Sequence, residues 1–184
     1  EQIYAEKLID GIEVINGSNL YPKMIDRCVD ENLTIFANTD CHRTSAQYYP
    51  RGGEIFRTMT FILAKECTEK AIREALEARR TIAYSGDQLM GEEKLLADFF
   101  NAAVDCRYLL HEAHNSISYY QLTNNSSIKY IIRLNGAIYE LEPFKSVTLG
   151  YKVGKDKKAA PMLCIENMWH IDYQHPTIKV ELDK

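Results

Sequence analysis

The sequence predicts an α/β region followed by an all-β region. Strand and helix patterns alternate over roughly the first hundred residues, strand patterns alone fill the rest, and the change falls near Val104-Asp105. Two domains are expected, residues 1–104 and 105–184, the second an immunoglobulin-like antiparallel β-sandwich.

In the first region, "GIEVI" (Gly11 to Ile15) is a short apolar run bounded by Gly11 and an "NGS" turn, which fits a buried strand. Pro22 to Glu31 reads as a helix with Met24, Ile25, Cys28 and Val29 on one face. "LTIFAN" (Leu33 to Asn38) is the next strand. A strand, a helix and a strand this close make a βαβ unit, the building block of parallel sheets and barrels. The polar, Gly/Pro-punctuated stretch from Asn38 to Arg57 is long for a connector and reads as a functional loop. "MTFILA" is a further strand, and Thr68 is the predicted N-cap of a helix through Arg80. "TIAYSGD" follows. "GDQLMG" reads as a structural connection, and "GEEKLLADFFNAAV" as a helix with an acidic first turn.

The second region holds seven short strand patterns: "RYLLHE", "ISYYQL", "IKYIIRL", "AIYEL", "SVTLGYKV", "MLCIE" and "TIKVEL". Asn135-Gly136 is the clearest turn signal, because both residues tolerate the positive φ of a type I′ hairpin. The Cys…Trp…Cys hallmark of true immunoglobulin domains is absent.

Composition narrows the function classes. With 22 basic and 26 acidic residues the net charge is -4, and neither sign forms a block. That argues against nucleic acid or a membrane surface as a partner held by bulk charge. No run approaches the roughly 20 apolar residues of a membrane span, so the chain reads as soluble. It starts at Glu1 inside a helical pattern, and a mature or truncated product is expected; the protein is then cytoplasmic or, with a signal peptide removed, periplasmic or secreted. The five cysteines are odd in number and contain no C-x-x-C pair, so free, buried thiols are expected rather than disulfides or structural zinc.

The chemistry concentrates in "NTDCH", Asn38 to His42. If the strand stays extended, Asn38, Asp40 and His42 project to one face and Cys41 to the other. A carboxylate and an imidazole then converge at the C-terminal end of a parallel strand, where ligands bind in α/β architectures. Both are suitable ligands for zinc, manganese or iron. A chance D-x-H triplet with Asp40 capping a turn is the alternative, and three or more protein ligands are needed for a catalytic site.

The ordered run "DGIEVINGSNLY…MIDRCVDENLTIFANTDCHRT" resembles the last strands of the PHP (polymerase and histidinol phosphatase) metallophosphoesterase domain, whose final motif is a strand ending in N-[ST]-D-x-H. The continuation through "LLADFF" is similar to the close of that domain in a bacterial phosphodiesterase-like branch; the likeness covers about residues 8 to 104. It implies the C-terminal half of a distorted (β/α)7 barrel with two or three divalent ions, and hydrolysis of small-molecule phosphate esters by metal-activated water. It also implies that Asp40 and His42 are metal ligands and that Glu13 lies near the site. The family's opening H-x-H motif and middle ligands have no counterpart here, so the chain alone is expected to be inactive. The missing ligands would come from an upstream part of the same protein, and a cut barrel is otherwise expected to self-associate.

Arg43 is a candidate phosphate clamp and Asn38 a candidate substrate contact; Arg51 is a weaker one. No residue stands out as general acid or base. His111, His114, His170 and His175 read as surface or packing residues, as do Tyr48-Tyr49 and Tyr119-Tyr120. A different class of function also fits: a non-catalytic module binding a glycan or protein on a degenerate, metal-free barrel and its sandwich.

Overall fold

A computed structural model of the chain describes residues 2–44, 47 and 57–182. In chain order its elements are α1 (Gln2–Ala5), β1 (Gly11–Asn16), β2 (Asn19–Leu20), α2 (Lys23–Asp30), β3 (Thr34–Asn38), β4 (Met59–Ile62), α3 (Glu69–Glu77), β5 (Thr81–Ser85), β6 (Gln88–Met90) and α4 (Glu93–Ala103). Strands follow at β7 (Val104–Glu112), β8 (Ile117–Asn124), β9 (Tyr130–Leu134), β10 (Ala137–Leu141), β11 (Ser146–Lys152), β12 (Met162–Ile165), β13 (Met168–Trp169) and β14 (Thr177–Lys179), with a 3-10 turn at Ile171–Tyr173. Contacts gather these into two compact units, Glu1–Leu96 with Met168–Gln174, and Ala97–Asn167 with His175–Lys184.

The first unit holds two sheets, β2-β1-β3 and β13-β6-β5-β4. β1 and β3 are parallel, joined through α2, so the βαβ expectation holds for this crossover. Ile25 and Cys28 of α2 are buried in a core with Val14, Ile15, Ile35 and Ala37. Val29, expected on the same face, is exposed, because it lies a residue past the buried stripe. Thr68 caps α3 as predicted, its hydroxyl accepting from the Ala71 N–H.

The expected half barrel followed by an immunoglobulin-like sandwich is not what forms. The structure is a β-rich fold of four sheets, with no closed barrel among the described residues. Two local features explain the departure. Gly86 and Asp87 both have positive φ, 54° and 63°, which makes a tight hairpin and pairs β5 with β6 antiparallel. β4 also runs antiparallel to β5, so after β3 the parallel winding stops. Where a barrel would continue its main-chain ladder, threonine hydroxyls take over. Thr60 Oγ1 accepts from Ala37 N at 2.8 Å and donates to Ala37 O at 2.9 Å, and Thr81 Oγ1 donates to Ile35 O at 2.7 Å.

The second unit also carries two sheets, β10-β9-β12-β14 and β11-β8-β7. Asn135 and Gly136 form the positive-φ hairpin that the sequence predicts, pairing β9 with β10. Phe100 packs edge-on to Tyr130 at 5.0 Å. Buried Asn124 ties three segments together, its amide donating to the carbonyls of Ile128, Leu141 and Glu142. All five cysteines are free; Cys28 and Cys106 are buried, Cys41 and Cys164 half-buried and Cys67 exposed.

Gly11 sits where β1 meets β3, and a Cβ there would lie 2.4 Å from Phe36 Cε2 and 2.5 Å from the Thr34 carbonyl. The ring can turn, but the carbonyl belongs to the parallel ladder. Gly11→Ala should therefore destabilise the chain by about 1–3 kcal/mol, read as a lower denaturation midpoint. Burial pushes the Cys28 thiol from 9.0 up to about 11. Between those values the unfolded chain has released the proton and the native chain has not, so this group makes stability fall as pH rises through that window. Denaturation series across it check the sign, with Cys28→Ser expected to flatten the slope.

Candidate metal centre

The site grows from the C-terminal ends of β1 and β3. β1 carries a bulge: Glu13 is opposite Phe36 but Ile15 is opposite Ala37, so Val14 is the extra residue. Val14 and Ile15 are both fully buried. The bulge also re-aims Glu13. On a regular strand residues three apart face opposite ways; with one residue inserted, Glu13 and Asn16 face the same way. Glu13 Oε2 accepts from Asn16 Nδ2 at 2.7 Å, and Glu13 Oε1 accepts from Asn38 Nδ2 across the strands at 2.6 Å. No ion pair of the described residues involves this carboxylate.

β3 ends at Asn38, four residues short of the His42 that an extended D-x-H strand would have to reach. Asp40 turns the chain with φ 49°, a left-handed conformation that aspartate tolerates better than most residues. Strand alternation therefore does not bring Asp40 and His42 together; a tight turn does. His42 Nδ1–H donates to the Asp40 carbonyl at 2.7 Å, while His42 Nε2 lies 3.9 Å from Asp40 Oδ1. In the neutral ring this leaves the lone pair on Nε2, beside the carboxylate. Both side chains are open to solvent, 76% exposed for His42 and 55% for Asp40. Cys41 turns elsewhere, its Sγ donating to the Arg43 carbonyl at 2.9 Å.

The "NGS" turn lies beside this pair. Gly17 N donates to Asn38 O at 2.8 Å, and a Cβ on Gly17 would lie 3.6 Å from the Thr39 carbonyl and 4.0 Å from Asp40 Cβ. Below it, Thr58 Oγ1 donates to the Gly17 carbonyl and contacts Ser85 Oγ at 2.7 Å. Asn16, Gly17, Thr58 and Ser85 are neighbours that sequence reading missed. The bulge has no sequence signature, and Thr58 comes from beyond a twenty-residue loop. Asn38, expected beside Asp40 and His42, instead serves Glu13.

The donor set fits a divalent ion. Two ligand bonds of about 2.0–2.2 Å span up to about 4.4 Å, so donors 3.9 Å apart can share one ion. A ring N–H held by a main-chain carbonyl is the arrangement that orients metal-binding histidines. Among the described residues no group of three or more His, Cys, Asp and Glu gathers, so Asp40 and His42 stand as a pair of candidate donors and not a complete site. Arg43 is exposed. Arg51, Tyr48 and Tyr49 lie outside the described residues. Of the other histidines, His111 contacts Ser118 Oγ at 3.0 Å and His170 is buried. Tyr119 donates to Glu112 and Tyr120 to the Ala159 carbonyl.

Among solved structures, the chain matches a crystal structure of a two-domain protein from Bacteroides vulgatus ATCC 8482, described as containing a predicted PHP-like metal-dependent phosphoesterase. The TM-score is 0.83 at 28% identity, over 98% of this chain and 55% of that one. This chain thus spans about half of that protein's length. No protein-family model matches the chain. No curated protein sequence matches it. The structural likeness supports a PHP-like relation and a coarse phosphoesterase reading.

Proposed function

We propose that this chain supplies one corner of the metal centre of a PHP-like phosphoesterase, with Asp40 and His42 as ligands, and that the whole protein hydrolyses phosphate esters of small molecules. The observation that carries the reading is the His42 ring, whose Nδ1–H is engaged by the Asp40 carbonyl and whose Nε2 is left beside the Asp40 carboxylate. The likeness over 98% of the chain to a protein described as metal-dependent points the same way. Two or three divalent ions, zinc, manganese or iron, would complete the centre. Their other ligands would come from polypeptide outside these 184 residues, either upstream in the same protein or in an associated copy.

A bound divalent ion supplies Lewis acidity and lowers the pKa of a bound water towards neutrality. The chain's own residues do the holding. The αL turn at Asp40 brings its carboxylate beside the His42 ring, and the carbonyl of the same residue fixes the ring's tautomer. Arg43, next along the chain and exposed, would take the negative charge of the substrate phosphate. Asn38, already bonded to Glu13, would meet substrate only through its remaining carboxamide atoms.

Two measurements test this. The 184-residue chain alone should bind divalent metal weakly and show no turnover of an aryl phosphodiester; robust turnover would refute the division of ligands. In the full-length protein, Asp40→Asn and His42→Ala should each weaken metal binding by more than the roughly 10–100-fold that outer contacts contribute, and activity should fall with it. Hydrolysis at the wild-type rate by either variant would remove Asp40 and His42 from the mechanism.

A further inference from the structure

We propose that Glu13 is a positioning residue for the Asp40–His42 pair, acting through Asn38. Its functional meaning rests on the metal-centre reading above; its structural basis does not. Glu13 is an exposed carboxylate whose two oxygens each accept from a carboxamide, Asn16 at 2.7 Å and Asn38 at 2.6 Å. A surface glutamate loses side-chain freedom when it is held this way. A bulge in β1 is also required to present it, and bulges of this kind re-aim side chains beside functional sites. Both features converge on one residue, Asn38.

Asn38 is the last residue of β3 and the fixed base of the turn that follows. Its main chain is held by the Gly17 N–H at 2.8 Å, and its side chain by Glu13. Two residues on, Asp40 enters the left-handed region and its carbonyl receives the His42 ring. A strand tip free to fray would let that turn relax, and with it the Nδ1–H···O bond that fixes the tautomer of the neutral ring. Glu13 thus acts at a distance of two bonded partners: it pins Asn38, Asn38 anchors the turn, and the turn orients the ligand atoms. As an outer contact its loss should weaken metal binding by about 10-fold or more.

The test uses the full-length protein with Glu13→Ala, Asn38→Ala and the double variant. Imidazole ¹⁵N shifts of the metal-free protein, with His42 assigned by its loss in His42→Ala, report the ring tautomer; Mn²⁺ titration reports affinity. Wild type should show the Nδ1–H form at His42, and Glu13→Ala should shift it towards the Nε2–H form. Mn²⁺ binding should weaken similarly in both single variants and no further in the double one, since both act on one link. A residue with a merely structural role would lower the melting temperature and leave the His42 tautomer unchanged. If Glu13→Ala does not fold, Glu13→Gln decides, because its single carbonyl oxygen keeps one of the two amide bonds and predicts an intermediate tautomer shift. Unchanged tautomer and affinity, or losses that add in the double variant as for a direct ligand, overturn the proposal. A wild-type protein that binds no Mn²⁺ while its His42 tautomer still responds to Glu13→Ala would sink the metal-centre reading and leave the positioning role standing.

Discussion

The first unit depends on how β3 is held along the edge that faces away from β1. Parallel pairing with β1 satisfies one side of the strand, and the other side has no ladder to join. Threonine hydroxyls close it instead, Thr60 answering both main-chain groups of Ala37 and Thr81 answering the Ile35 carbonyl. A third, Thr34, donates from the start of the same strand to Leu76 O in α3. Each such bond is worth only about 1 kcal/mol net, whereas a buried main-chain group left unmet loses about 1–3 kcal/mol. The hydroxyls therefore matter mostly by what they prevent. They seat a second sheet against β3 without the register of a continuous one, which is how the parallel pairing of β1 with β3 coexists with antiparallel pairing in β4, β5 and β6.

This arrangement explains which parts of the molecule were legible from residues alone. Local chemistry read well. The Thr68 cap, the Asn135-Gly136 hairpin and the crossover from β1 through α2 to β3 all follow from short-range preferences that tertiary packing did not override. Strand direction read poorly, because a strand pattern carries no arrow. "MTFILA" and "TIAYS" look alike as parallel or antiparallel strands, and the deciding signal was the Gly86-Asp87 pair, which served as a hairpin and not as a lead-in to a helix. The threonine stitches have no period and no motif, so nothing in the sequence distinguishes Thr60 from any other strand threonine.

At the site the same division recurs. "NTDCH" was recognisable as a pair of ligand types at the end of a strand, and the separation of Cys41 from the pair was foreseen, although for a different physical reason. Alternation along an extended strand was the expected cause, while the structure ends the strand at Asn38 and uses the left-handed conformation of Asp40. The bulge at Val14 was invisible for a related reason. A bulge shifts facing by one residue, and two consecutive apolar positions, Val14 and Ile15, look the same in a buried strand as in a bulged one. Glu13 consequently read as a neighbour of the site without a defined job, whereas its carboxylate is bonded across two strand ends.

The Met168–Gln174 segment has a consequence for synthesis on the ribosome. β13 pairs in parallel with β6, Trp169 donates to Gln88 at 2.6 Å, and Asp172 N–H reaches Asp26 in α2, so the first unit is finished by residues that emerge only after Ala97–Asn167 of the second. About 70 residues of the second unit separate Leu96 from that segment. At cellular elongation rates of about 5–20 residues per second, the outer edge of β6 waits roughly 4–14 seconds for its neighbour. During that interval the nascent chain presents an open strand edge, and the arrival of Trp169, the chain's single tryptophan, marks its closure with an intrinsic fluorescent reporter.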